Sequence, residues 1–253
     1  MIDTHCHLYL SEFEEDIDSV ISHAIEVGVQ KMYLPAINSE THEQMLLLEA
    51  KYPDRCISMM GLHPCYVKEN YFEELLKVEK YLKSRNFAAI GECGLDFYWD
   101  NTYAHQQYLV LEQQIEWAKQ YNIPIVLHTR NATKETIAVV EKNKSSQLKG
   151  IFHCFGGTIE EANQIIAMGF YLGIGGVVTY KNAGLDLVLK EIDLKHIVLE
   201  TDAPYLAPVP FRGKRNESKH VKVIAEKIAE IKNCSFEEVV KITDENARMI
   251  FAG

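Results

Sequence analysis

The chain has no apolar run of the roughly 18 to 20 residues needed to span a bilayer, which excludes a transmembrane helix. Met1-Ile2-Asp3 runs straight into an apolar segment and leaves no space for an export signal. Neither a Pro/Gly-rich linker nor an internal repeat interrupts the 253 residues, so one domain over 1–253 is expected. The six cysteines include no C-x-x-C pair, which argues against a structural zinc knuckle. Without an export signal they are expected to stay reduced, and a cytoplasmic location follows. Also missing are a G-x-S-x-G elbow and a G-x-x-x-x-G-K-[ST] phosphate loop. Gly173-Ile174-Gly175-Gly176 lacks the dinucleotide spacing and is expected to let the backbone turn after a strand. Positive charge is scarce: 26 Lys and Arg against 36 Asp and Glu give a formal charge of −10. That argues against a surface built to coat nucleic acid, but not against a nucleic-acid substrate in a cationic, metal-filled cleft.

What is present is regular. With 47% hydrophobic and 25% charged residues, the composition is that of a globular protein. Eight short apolar runs read as strands: Ile2 to Cys6, Lys31 to Pro35, Cys56 to Gly61, Ala88 to Gly91, Ile125 to His128, Gly150 to His153, Tyr171 to Ile174 and Ile197 to Glu200. Between them lie segments with helical spacing, such as Ile17, Val20, Ile21, Ala24 and Ile25, or Tyr108, Leu111, Ile115 and Ala118. Strands separated by helices pair in parallel, and continuous runs such as Ile125-Val126-Leu127 suit strands covered on both faces. A doubly wound open sheet is the rival to a (β/α)8 TIM barrel. The count of eight and the spread of metal-type residues over five strands favour the barrel, whose strand ends all open at one mouth. Glu217 to Ile231 and Ser235 to Phe251 are expected as a helical pair closing it, with Ser235 and Glu238 in capping-box spacing.

Six candidate metal ligands fall at or just past those strand ends: His5, His7, Glu92, His128, His153 and Asp202. In His5-Cys6-His7, alternation turns both imidazoles to one side and Cys6 to the other. Cys93 and Cys154, beside Glu92 and His153, are likewise expected to pack between strands and helices. A carboxylate following Ala88-Ala89-Ile90-Gly91 is costly to bury without a cation or hydrogen bonds. The remaining His23, His42, His105, His196 and His220 are expected to be surface or structural. Four imidazoles and two carboxylates suffice for two divalent ions, a pair that lowers the pKa of a shared water and clamps both oxygens of a displacement. The set suits zinc, iron or manganese, whereas magnesium prefers oxygen ligands. His63, Arg130 and Arg212 near the mouth suit an anion such as a phosphoester. Glu200 is either a partner that orients a ligand or an interior hydrogen-bonding acid.

Asp3-Thr4-His5-Cys6-His7, Gly61-Leu62-His63-Pro64, Gly91-Glu92-Cys93-Gly94-Leu95-Asp96, His128-Thr129-Arg130, His153-Cys154-Phe155 and Leu199-Glu200-Thr201-Asp202-Ala203-Pro204-Tyr205 together resemble the TatD-type metal-dependent deoxyribonucleases, end to end. The resemblance implies an amidohydrolase-like barrel in which His5, His7 and Asp202 hold one ion, His128 and His153 the other, and Glu92 bridges them. It also implies magnesium-dependent, often 3′ to 5′, cleavage of single-stranded DNA in repair or degradation. Asp202 and Glu92 are then catalytic, and His63 with Arg130 and Arg212 steadies the phosphate. Some TatD-like proteins are instead similar to D-aminoacyl-tRNA deacylases, and that ester chemistry, or a lactonase, is the alternative. A noncatalytic metal or nucleic-acid binder would need fewer of the ligands. No protein partner is expected, and the chain is expected to be a monomer. The family pattern often has proline where this chain has Ser218, a departure expected to affect only the loop before the next helix.

Overall fold

The computed structural model describes residues 1–252. The strands are β1 (Ile2–Asp3), β2 (Lys31–Leu34), β3 (Cys56–Ser58), β4 (Ile90–Asp96), β5 (Ile125–Arg130), β6 (Gly150–Phe152), β7 (Tyr171–Ile174) and β8 (Ile197–Leu199). Among them run the helices α1 (Ile17–Glu26), α2 (His42–Lys51), α3 (Tyr71–Ser84), α4 (Ala104–Tyr121), α5 (Thr133–Lys142), α6 (Ile159–Ala167) and α7 (Leu185–Glu191), with α8 (Val221–Lys232) and α9 (Phe236–Phe251) following β8. Every named pairing is parallel, β1 to β3 in one run and β4 to β8 in the other. Single parallel bridges, Met60 to Ile90 and Cys6 to Ala203, join the two runs at both seams, so the sheet closes into a (β/α)8 TIM barrel.

Alternation explains the two apolar layers. Inside the barrel, Ile2, Tyr33, Met59, Ala89, Val126, Ile151 and Val198 pack together, each on or beside a different strand. The neighbouring positions face outward onto the helices: Met32, Ile90, Ile125, Leu127, Phe152 and Leu172 meet Val20, Ile21, Leu111, Ile115 and Ile165. Helix α9 fills the bottom of the barrel. Its Ala247 and Ile250 join the inner layer, Phe251 stacks on Tyr33 at 3.8 Å, and Asn246 donates to the carbonyls of Leu194 and Ile197. Its Ser235 cap accepts from the Glu238 N–H, one half of the expected box. With the bottom plugged, the strand C-termini are the open end, where ligands bind in this fold.

Only β7 has both of its expected bounds; the other strand ends shift, and the shifts at β1 and β4 matter to the site. β1 stops at Asp3 because the backbone then alternates its partners: Thr4 N–H donates to Leu199, Cys6 to Tyr33 and His7 to Ala203. β4 instead runs on to Asp96, paired as far as Asp96 with Arg130, and carries one extra residue between Ile90 and Cys93. Such an insertion bends a strand and re-aims its side chains. Glu92 therefore sits inside β4 at the bulge, its N–H donating to Ala36 just past β2.

Candidate metal centre

The six candidate ligands converge on Glu92, which is buried at the centre of the mouth. Its two carboxylate oxygens face different imidazoles. Oε2 lies 3.0 Å from His5 Nε2 and 3.3 Å from His7 Nε2, and Asp202 Oδ1 closes that side at 3.7 and 3.5 Å from the same two nitrogens. Oε1 lies 2.9 Å from His128 Nδ1, 3.2 Å from His153 Nε2 and 3.3 Å from His63 Nε2. Asp202 reaches inward from a left-handed backbone (φ 58°), a conformation Asp tolerates better than most residues, with its N–H on the His5 carbonyl.

The donor set fits divalent cations. Among the described residues, neither Glu92 nor Asp202 pairs with a Lys or Arg; every basic neighbour is an imidazole. His5 and His7 bring their Nε2 atoms to 3.3 Å, a contact that needs a proton or a cation between the lone pairs. Burial pushes the Glu92 carboxyl up, but His153, His63 and His5 outweigh it and hold it well below the usual range. Burial also works against a charged His7, yet Asp202 and Glu92 lift its pKa to about 9. Burial and the neighbouring His153 push His5 down.

The surrounding hydrogen bonds decide which ring nitrogens can ligate. Tyr9 has one hydroxyl proton and donates it to the Pro35 carbonyl at 2.6 Å, so its oxygen accepts from His7 Nδ1 at 3.1 Å. Neutral His7 thus carries its proton on Nδ1 and offers Nε2 as a lone pair. His63 is the reverse. The Cys65 backbone N–H donates to His63 Nδ1 at 3.1 Å, which leaves the proton on Nε2. His63 is near enough to the Oε1 group to be a ligand, but its tautomer makes it a donor to an anion. His128 faces two carboxylates, Glu92 on Nδ1 and Asp96 Oδ2 on Nε2 at 2.8 Å; burial disfavours its charge, but the two acids raise its pKa.

Further residues hold this arrangement. Glu200 Oε1 accepts from the Cys154 N–H at 2.6 Å and lies 3.3 Å from His153 Nδ1, too far off line for a well-formed hydrogen bond. It is a buried acid that accepts a backbone hydrogen bond beside a candidate ligand. Gly173 is what admits it: a Cβ there would stand 2.2 Å from Glu200 Oε2. This glycine serves a close approach rather than the expected turn. Asp3 accepts from Thr201 and Ser218 hydroxyls at 2.7 and 2.6 Å and from the Thr201 and His5 N–H groups. Ser218 therefore reaches beneath the site and does not affect only its own loop, because its hydroxyl is a donor that proline lacks. Asp96, Tyr9 and Asp3 were not expected in these roles. Asp96 shares the parity of Glu92 along a strand that was taken to end at Gly91.

The other expectations fall out as follows. Cys6 and Cys93 are buried with their thiols toward the Tyr33 and Val126 carbonyls, but Cys154 is only half-buried on a left-handed backbone (φ 48°), where strand alternation no longer applies. All six cysteines are free. His23 and His105 are exposed and His196 half-buried; His42 and His220 are buried, His220 stacked on Phe211. Arg130 lines a cleft of about 690 Å³ with His7, His63, Glu92, Asp96, His128, His153 and Asp202. Arg212 does not; it is exposed, over the Tyr180 ring at 4.5 Å. In the same loop Arg215 is taken up by Asp16 and Glu217. No helix among the described residues is long and apolar enough to cross a membrane.

The chain is similar to known proteins over nearly its whole length. The family model described as "TatD related DNase" matches residues 2–252. The chain is 37% identical over 252 residues to the uncharacterized metal-dependent hydrolase YabD of Bacillus subtilis (strain 168), covering 99% of this chain and 98% of that one. To the uncharacterized metal-dependent hydrolase YcfH of Escherichia coli (strain K12) it is 31% identical over 255 residues, covering 99% and 95%. The crystal structure of YJJV, a TatD homolog from Escherichia coli K12, superposes with a TM-score of 0.94 at 26% identity, covering 100% of this chain and 98% of that one. The chain belongs to the TatD family of metal-dependent hydrolases.

Proposed function

We propose that the chain is a deoxyribonuclease that uses two divalent ions and removes nucleotides from the 3′ end of single-stranded DNA, as a monomer in the cytoplasm. Magnesium is the expected ion for cleavage, with zinc, manganese or iron as alternatives. His5, His7 and Asp202 would hold one ion, His128 and His153 the other, and Glu92 both. Bound there, the ions would supply an activated water and neutralise charge on the phosphate. The observation that carries this reading is Glu92, whose two oxygens each face their own imidazole group.

The chain's own residues supply the rest. His63 offers Nε2–H to a phosphate oxygen, and Arg130, which makes no ion pair among the described residues, offers a guanidinium on the same wall. Guanidinium groups bind phosphate bidentately. Arg212 is assigned to the strand beyond the cleft, which its exposure permits. Asp202 Oδ1, beside His5 and His7 at the mouth, would accept a proton from the attacking water.

The test is nucleotide release from 3′-labelled single-stranded DNA by metal-stripped protein restored with magnesium, manganese or zinc, with Glu92→Ala and Asp202→Asn as controls. Metal-dependent release by the wild type alone supports the reading. Metal-dependent hydrolysis of D-aminoacyl-tRNA or a lactone, with DNA left intact, would replace it with an esterase. Ions bound without turnover of any of these would indicate a binder.

A further inference from the structure

One wall of the cleft is lined with rings that metal chemistry does not use. Just past β4, Tyr98 is 53% and Trp99 67% exposed, a large apolar area to leave in water. Their rings meet edge to face at 4.9 Å, and the Arg130 guanidinium lies 3.9 Å from the Tyr98 centroid and 5.0 Å from that of Trp99. Trp99 and Arg130 line the same cleft as the candidate ligands. The wall is also tied to them. Asp96 Oδ1 accepts the Tyr98 and Trp99 N–H groups at 2.9 and 3.3 Å while its Oδ2 holds His128 Nε2.

We propose that Tyr98, Trp99 and Arg130 form a stacking platform that seats an unpaired nucleobase at the end of a nucleic-acid strand, beside the ester to be cleaved. The proposal rests on the nuclease reading and adds to it the means of choosing a substrate. A flat aromatic face joined to a guanidinium plane stacks on any base, whereas a base within a duplex has both faces covered. Charge points the same way. The chain carries −10 overall, and among the described residues Arg130 is the only Lys or Arg lining the cleft, so side chains add little phosphate attraction to that of bound ions, and stacking supplies a separate hold on the base. Asp96 fixes the platform relative to His128, which places the base a set distance from the reacting phosphate.

The platform can be followed optically, because the chain has two tryptophans and Trp117 is 4% exposed. A short single strand with phosphorothioate linkages, titrated into the metal-loaded protein, is expected to quench Trp99, whereas the same strand with an abasic 3′ end quenches little. In cleavage, Trp99→Ala should lower kcat/KM on a base-bearing end about 5- to 150-fold, mainly through KM, the span of one lost base–aromatic stack. Trp99→Phe should keep most of it, and abasic ends should be cleaved alike by all three. An unchanged preference for base-bearing over abasic ends in Trp99→Ala overturns the platform and leaves the nuclease standing. If the wild type cleaves no DNA with any metal, the nuclease reading fails and the quench decides: selective quenching by the base-bearing strand upholds the platform, equal quenching overturns it.

Discussion

The two sides of Glu92 are built differently. On the Oε2 side, His5 and His7 are buried at the seam of β1 and β8; the His5 N–H donates to Asp3 and its carbonyl accepts from the Asp202 N–H, while the His7 N–H donates to the Ala203 carbonyl. On the Oε1 side, the His63 and His128 side chains are 13% and 15% exposed and the wall continues into Arg130, Tyr98 and Trp99. Exposure alone does not divide them, since Asp202 on the Oε2 side is 14% exposed and His153 on the Oε1 side 3%; what differs is that the Oε1 side runs on into an exposed wall. His7 and His63 condense the difference: one has its proton fixed on Nδ1 by Tyr9, the other has Nδ1 filled by a backbone N–H. Two imidazoles at 3.3 Å from the same carboxylate therefore serve opposite purposes.

Breaking the shared element should have the largest effect. Glu92→Ala removes the carboxylate whose two oxygens face both groups, and DNA cleavage should fall to the level of a metal-free control at every metal concentration. Next, His63→Gln should cost about 10²- to 10³-fold in kcat, as expected for one lost donor to the reacting oxygen. Its bound metal should be unchanged, whereas His7→Gln should lose metal together with activity.

Tyr9→Phe sharpens the comparison without touching a ligand. Its loss frees the His7 ring and should weaken metal affinity about 10- to 100-fold, measured by competition with a chromophoric chelator. The wild type supplies a pH signature on the same side. With His7 lifted from 6.5 to about 9 in the ion-free protein, a metal must displace its proton, so affinity should climb with pH and level off above about 9. A raised folded pKa contributes stability that is full below 6.5 and lost as pH rises through 9, so the ion-free protein should lose stability across that window. The smallest effect is expected from Ser218→Ala, which leaves Asp3 one donor short. About 1.5 to 3 kcal/mol of stability should go, read by denaturant unfolding, with kcat little changed.

The convergence of the six candidate ligands was legible because each strand announces its end: an apolar run stops and a polar residue of the right parity follows, as at His128 after Ile125-Val126-Leu127. Parity also carried the His5 and His7 pair. It failed at β4, where the bulge shifts the register, and with it Asp96 was missed, although Glu92, Gly94 and Asp96 alternate on a strand that continues. Cys154 was misplaced because a left-handed residue past a strand end has no alternation to follow. Ser218 on Asp3 joins positions 215 apart and leaves no local pattern. Arg212 shows the remaining gap, since a basic residue in the right loop can still turn onto a neighbouring ring.

The central claim is that Glu92 divides the mouth into two ion positions and that His63 belongs to neither. Counting ions per chain by elemental analysis, after equilibrating wild type, His7→Gln and His63→Gln with manganese or zinc, tests it most directly. Two ions in the wild type, two in His63→Gln and fewer in His7→Gln is the predicted result. A single ion in the wild type, or the loss of one in His63→Gln, would contradict it.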